Sequence, residues 1–209
     1  MARYTGPKNR LARREGMELG LKTPGSKSFA VLQKRMGIIP GQHGGKGRRK
    51  ISDYGVQLRE KQKVKRLYGV LERQFRKNFE RAKKWKGNTG EKLLEFMERR
   101  LDNVVYRMGF SPTRGLSRQL VSHRHVLVDG KRVNIPSYLV SKDELVAVKA
   151  GEKAQKLVKE NLELSKDRSV PTWLEFNAEE LKAKVLRLPE KGDIAFPIQE
   201  QLIVELYSK

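Results

Sequence analysis

The sequence predicts an α+β protein: a basic N-terminal arm, a helical domain, and a second domain built around a helix-helix-hairpin unit. Three observations predict it. Glycine and proline break every long period in the first 50 residues, apolar residues recur at helical spacing between Ser52 and His123, and strand-like segments follow, punctuated by Asp129-Gly130. A chain of 209 residues is long enough for one or two domains with cores of their own.

Taken in order, residues 1–50 hold few large apolar side chains and are interrupted by glycines from Gly6 to Gly47 and by Pro7, Pro24 and Pro40. A short helix around Asn9 to Met17 fits. The clusters Arg13-Arg14, Lys34-Arg35 and Arg48-Arg49-Lys50 then sit on a flexible or extended arm. Tyr4, Phe29, Ile38 and Ile39 set this arm apart from a disordered tail, so it is read as a segment that orders on a partner. Ser52 or Asp53 caps a helix running to about Tyr68 and stopped by Gly69, with Val56, Val64, Leu67 and Tyr68 on one stripe. A second helix, from Leu71 to Trp85, turns Leu71, Phe75, Phe79 and Ala82 inward, so its phenylalanines are core residues. The remaining faces of both helices are basic, with too few acids nearby in sequence to pair them.

From Glu91 the helical period runs through Leu93, Leu94, Met97, Leu101, Val104, Val105 and Met108 to Gly109, as one long helix or two abutting ones. Ser111 or Thr113 starts another, with Leu116, Leu120 and Val121 inside, ending near His123. His125 to Val128 and Arg132 to Ile135 flank Asp129-Gly130, a strong signal for a tight hairpin. A third strand at Leu145 to Lys149 follows. Then come a helix from about Glu152 to Leu164, strands at Trp173 to Phe176 and Val185 to Leu188, and a closing strand from Gln201 to Tyr207.

Charge narrows the function. Lys and Arg number 46 against 24 Asp and Glu, a net charge of +22. The net charge is +11 over residues 1–50, +8 over 51–100, +4 over 101–150 and −1 over the rest. Self-repulsion at that charge is relieved by a polyanion, and the gradient puts the footprint in the first half. No apolar run is long enough to span a bilayer, and zero cysteines exclude disulfides and thiolate metal sites, so cytoplasm is the expected compartment. His43, His123 and His125 form no metal triad with carboxylates at ligand spacing, and Gly44-Gly45-Lys46-Gly47 lacks the phosphate-loop pattern. No cofactor, no metal and no enzyme activity are expected.

The helix after Ser111 presents Arg114, Arg118, Gln119 and His123, and the hairpin adds Arg124, His125, Lys131 and Arg132. Basic and amide groups on a helix and adjoining hairpin suit a groove or junction in folded RNA, read by shape and backbone. A DNA-binding protein is a rival reading on charge alone, since phosphate contacts dominate either case.

The run Arg100-Leu101-Asp102-Asn103-Val104-Val105-Tyr106-Arg107-Met108-Gly109-Phe110, with Ser117-Arg118-Gln119-Leu120-Val121-Ser122-His123 and Val128-Asp129-Gly130-Lys131-Arg132-Val133, resembles the RNA-binding module of the small-subunit ribosomal protein S-four family. The likeness extends to Ala2-Arg3-Tyr4-Thr5-Gly6-Pro7, Pro40-Gly41-Gln42-His43-Gly44, Leu58-Arg59-Glu60-Lys61-Gln62-Lys63 and Leu186-Arg187-Leu188-Pro189, in order along nearly the whole chain. The resemblance implies a structural constituent of the small ribosomal subunit that binds the 5′ domain of its ribosomal RNA early in assembly. It further implies a place by the messenger channel beside ribosomal proteins S-three and S-five, an influence on decoding accuracy, and repression of its own messenger RNA in some bacteria. No membrane association and no homo-oligomer are expected. The division it implies is an arm over 1–50, a helical domain over 51–90 with 195–209 packed on it, and a second domain over 91–194 holding the module at about 99–163.

The expected RNA contacts are Arg3, Lys8, Arg10, Arg13, Arg14, His43, Arg48, Arg49 and Lys50 in the arm, and Arg59, Lys61, Lys63, Lys65, Arg66, Arg73 and Arg76 on the helices. The eight module residues named above complete the set. Three departures from the family pattern stand out. Zinc-binding cysteines are absent, so RNA is the simplest agent to order the arm. Arg114-Gly115 replaces two adjacent basic residues, at about 1 kcal/mol for a glycine within a helix. His123-Arg124-His125 replaces His-Gly-His, so a non-glycine residue stands where a helix ends. The same module occurs in RNA-modifying enzymes, and Arg100-Leu101-Asp102 superficially resembles the catalytic aspartate stretch of pseudouridine synthases. The helical continuation makes Asp102 a cap or an arginine partner instead.

Overall fold

Two short helices occupy the glycine-broken N-terminal region. In the computed structural model, which describes residues 4–46, 50–149, 151–165, 168–194 and 196–208, α1 spans Lys8–Glu15 and α2 spans Lys27–Lys34. Gly16 ends α1 at φ 71°, a left-handed cap that glycine adopts without strain. Ser26 caps α2 by accepting the Phe29 N–H at 3.2 Å. Asn9 donates to the Ser28 carbonyl at 2.8 Å, which straps the two helices together over buried Ala12, Leu19 and Leu32, and Arg13 donates to the carbonyl of Ile38, beyond α2, at 2.9 Å. The extended arm expected here is therefore largely folded. Its apolar residues are few but spaced widely enough to serve one small core.

The chain divides into two compact units, one formed by residues up to 93 together with the segment from 196, the other by the residues between. In the first, α3 (Asp53–Leu67) starts where Ser52 accepts the Gly55 N–H, and α4 (Glu72–Lys83) follows the turn at Gly69. Val64, Leu67, Tyr68, Phe75, Phe79 and Ala82 are buried as their spacing predicts, but Val56 is exposed while Gln57 beside it is buried, and Leu71, expected to face inward, is exposed at the N-cap of α4. Asn88 caps α5 (Thr89–Glu98) by accepting the Gly90 N–H at 2.9 Å.

In the second unit the helical stretch breaks before α6 (Leu101–Arg107), so two helices abut there. Arg100 is extended and bridges Leu139, while the Leu101 N–H bonds the Tyr138 carbonyl at 2.8 Å. Helix α7 (Arg114–Ser122) is capped by Thr113, and Gly115 falls in its first turn, where its cost is small. The hairpin of β1 (Val126–Val128) and β2 (Lys131–Arg132) turns through Asp129 at φ 47° and Gly130 at φ 75°, the positive pair that a tight type I′ turn needs. β2 begins one residue earlier and is shorter than the Arg132 to Ile135 strand expected, although the Val133 N–H still reaches the Val126 carbonyl at 3.3 Å. After β3 (Leu145–Val148) and α8 (Glu152–Glu163), β4 (Leu174–Asn177) and β5 (Lys182–Val185) complete an antiparallel sheet of order β2-β1-β3-β5-β4. Strand β5 lies three residues earlier than expected. Ala183 and Val185 point inward and Lys182 and Lys184 outward, an alternation masked by lysine's weak strand preference. Val126, Val128, Val146, Val148 and Val185 share one core with Leu101, Val104, Val105, Leu120 and Trp173.

The closing strand expected over Gln201 to Tyr207 is instead helix α9 (Glu200–Ser208), packed on α3 in the first unit. Ile203 is buried, and Tyr207, one turn on, stacks on Phe79 with ring centroids 4.6 Å apart. A short apolar run such as Leu202-Ile203-Val204 does not distinguish helix from strand, and packing on α3 decides it. Among the described residues no helix is long and apolar enough to cross a membrane.

Candidate nucleic-acid interface

The second unit carries basic side chains at two depths. At the lower level, Glu98 accepts both arms of the Arg107 guanidinium, at 3.0 and 2.7 Å, and the Asn103 amide at 2.7 Å. Asn103 in turn accepts from Arg114 Nε at 2.8 Å. Arg114 and Arg168 lie over the Tyr106 ring, with guanidinium carbons 4.2 and 3.9 Å from its centroid. Arg168 also donates to the carbonyls of Tyr106, Ser111 and Pro112, which satisfies the end of α6 and the loop before α7. Beside this network Arg100 grips Asp102 through two bonds, at 3.0 and 2.6 Å, with Arg118 3.6 Å from the same carboxylate. Charge-assisted, two-point bonds of this kind fix orientation, so α6 and α7 form a stiff base.

Above that base, Gln119, His123, Arg124, Lys131 and Arg132 are exposed, and His125 is half-buried with its ring 6.2 Å from that of His123. Among the described residues no carboxylate pairs with His123, Arg124, Lys131 or Arg132. Arg124 sits at φ 63°, its N–H bonded to the Val121 carbonyl at 2.9 Å, in the left-handed position that ends α7. Arg114 does not belong to this surface. It is only 6% exposed and is part of the base, because Asn103 and Tyr106 draw it inward. Arg118 spans both levels. Arg100, Arg107 and Arg168, which sequence reading left out, hold the surface in place. The Glu98, Asn103 and Arg107 spacing was a local sign of them, whereas Arg168 had none.

The first unit differs. Arg59 and Arg66 both pair with Glu15, the former at 3.1 Å; Lys63 pairs with Glu60 at 2.7 Å, and Lys61 and Lys65 with Glu72 at 2.8 Å each. The expectation that too few acids lie near this helix is corrected: Glu15 and Glu72 come from neighbouring elements that sequence distance hides. Lys61 is buried and also faces the Tyr207 ring at 5.6 Å, so it leaves the expected contact set for a packing role. Burial pushes the Glu15 carboxyl up, ahead of the opposing pull of Arg59 and Arg66. Glu72 behaves oppositely: burial would raise it, but hydrogen bonds from Lys61, Lys65 and Tyr207 hold it at about 2. Arg10, Arg14, His43, Lys50 and Arg73 are exposed, Lys8 and Arg13 half-buried, and exposed Arg76 pairs with Glu80 at 3.2 Å. Arg3, Arg48 and Arg49 lie outside the described residues.

Residues 3–98 match the family described as ribosomal protein S4/S9 N-terminal domain, and residues 99–146 match the S4 domain. The chain is 54% identical over 209 residues to the small ribosomal subunit protein uS4 of Thermodesulfovibrio yellowstonii, covering all of both chains. It is 53% identical over 209 residues to the protein of that name from Thermoanaerobacter pseudethanolicus, and 54% identical over 210 residues to that of Aeromonas hydrophila, again with full coverage of both.

Proposed function

Because this chain belongs to the uS4 family of small ribosomal subunit proteins, we propose that it is a structural, non-enzymatic constituent of that subunit and binds the subunit's ribosomal RNA. The observation that carries the reading is the exposed set on α7 and the hairpin. Gln119, His123, Arg124, Lys131 and Arg132 stand on a stiff ionic base, and among the described residues no acid pairs with the charged ones. Donors fixed in this way fit phosphates held in the shape of a folded RNA. Arg118 and His125 border the set. The exposed cations Arg10, Arg14, Lys50 and Arg73, and Arg3, Arg48 and Arg49, add contacts or long-range attraction from the first half of the chain.

The finer reading belongs to the same proposal. The protein nucleates assembly of the 5′ domain, lies in the cytoplasmic small subunit by the messenger channel beside ribosomal proteins S-three and S-five, and contributes to decoding accuracy. Repression of its own messenger RNA, a trait of the family in some bacteria, is the open extension of this proposal, and the protein acts without a membrane, a metal or a second copy of itself. The arm over 1–50, residues 51–90 with 195–209, and 91–194 around the module at about 99–163, are proposed as the units that make these contacts. The pseudouridine-synthase alternative is not favoured, since Asp102 is committed to Arg100 and only 4% exposed, away from any substrate.

A competition assay tests the proposal. At moderate salt, small-subunit ribosomal RNA should displace a DNA duplex of equal length from the protein; equal competition by the two would remove the RNA assignment. Mass mapping of that RNA after incubation should show no new modification, and a modified uridine would restore the enzyme reading.

A further inference from the structure

A second kind of contact is prepared at the turn between α4 and α5. Trp85 is 54% exposed, whereas the chain's other tryptophan, Trp173, is fully buried. An indole more than half exposed forgoes much of the apolar gain that burial would bring. The position is nonetheless fixed: the Trp85 N–H bonds the Ala82 carbonyl at 3.1 Å, and Asn88 caps the next helix three residues later. The surroundings are cationic. Lys83, Lys84 and Lys86 are exposed alongside it, and Lys92 Nζ lies 4.1 Å from the centroid of the ring. A hydrophobic protein partner would have to desolvate the exposed ammonium groups of Lys83, Lys84 and Lys86 to reach the indole, whereas a nucleotide brings phosphates that satisfy them.

We propose that Trp85 is a stacking platform for an unpaired base of the ribosomal RNA, with the flanking lysines meeting the adjoining phosphates. The inference rests on the RNA-binding reading above and gives it a site that the charged contacts do not require. Stacking on an aromatic side chain is sequence-tolerant and worth about 5- to 150-fold in affinity for one base. It involves no counterion, so it leaves the salt dependence untouched.

Full-length Trp85→Ala should therefore bind a transcript of the small-subunit ribosomal RNA about 5- to 150-fold more weakly, with an unchanged slope against salt, while Trp85→Phe recovers most of the loss. In Trp173→Phe, where Trp85 is the only indole, that transcript should quench the emission and an RNA duplex of equal length should not. If Trp85→Ala binds as tightly as the parent while the parent's own binding is strong and salt-dependent, the stacking assignment falls and the ribosomal reading stands. If the parent fails to bind the transcript, both fall. Shielding of Trp85 only when other small-subunit proteins are added would assign the ring to a protein contact and overturn the proposal.

Discussion

Helix α3 and the surface formed by α7 with its hairpin are both dense in cations, yet they use them differently. On α3, five cations meet three carboxylates, two of them delivered by α1 and α4, so the positive charge joins secondary elements to one another. Around α7 the paired cations lie underneath and the unpaired ones lie on top. The difference teaches that net charge over a segment measures attraction at a distance and not the number of groups left to touch a phosphate. Segment 51–100 is more basic than 101–150, at +8 against +4, but more of its charge is held by intramolecular partners.

The sharpest way to break the comparison is to remove an acid from the base beneath α7. Glu98→Ala leaves the Arg107 guanidinium buried without the carboxylate that grips it and takes one bond from Asn103. Loss of one partner of a buried pair costs about 3–5 kcal/mol, and urea unfolding should read that loss. If Glu98→Ala unfolds at the parent's midpoint, the base is not stiffened by this pair.

The opposite signature is expected above it. Lys131→Ala with Arg132→Ala changes two exposed side chains, so stability should stay within about 0.5 kcal/mol of the parent. Affinity for ribosomal RNA should fall roughly tenfold, and the slope of log affinity against log salt should flatten by about 2. An unchanged slope would exclude both as phosphate contacts. The same double change made at Lys63 and Lys65 should flatten the slope less, since Glu60 and Glu72 already neutralise them.

Acid titration separates the regions by a smaller margin. The Glu72 carboxyl lies at about 2 in the folded protein against an ordinary 4.5, so the unfolded chain takes up its proton first as pH falls. Its contribution is complete above about pH 4.5 and is lost between there and about 2. Glu72→Gln should flatten that acid limb and cost about 1 kcal/mol or less at neutral pH, given a half-exposed carboxylate. An acid limb identical to the parent's would show that the α3–α4–α9 junction does not depend on this charge.

The fold was legible wherever periodicity was strong. Phe75 and Phe79, the Asp129-Gly130 turn and the Thr113 cap are local signals, and each is found where spacing puts it. What escaped was non-local. The helical state of α9 depends on α3 and on the Tyr207 contacts with Phe79 and Glu72, and the folding of residues 8–34 depends on a few well-separated apolar groups. The basic residues expected on a helix and hairpin do stand on α7 and the hairpin, but at depths that the sequence does not reveal. Nothing in the sequence near Arg114 says that Asn103 and Tyr106 will draw it in, nor that Arg168, 54 residues on, shares the same ring.

Arg124 gives the finest test of the distinction between structural and contacting cations, because there stability and binding should move in opposite directions. It occupies a left-handed backbone position at φ 63°, where a side chain costs about 1–2 kcal/mol and glycine costs nothing. It is exposed and makes no ion pair among the described residues, so no charge pairing there offsets that strain. Arg124→Gly relieves the strain but loosens the unfolded chain by about 0.5–1 kcal/mol, for a net stabilisation of roughly 0.5–1 kcal/mol. Thermal unfolding should therefore shift upward while affinity for ribosomal RNA falls and its salt slope drops by about 1. A cation kept only for packing would lose stability on this change, and one idle on the surface would leave the affinity as it was. Either result would remove Arg124 from the cations that contact RNA.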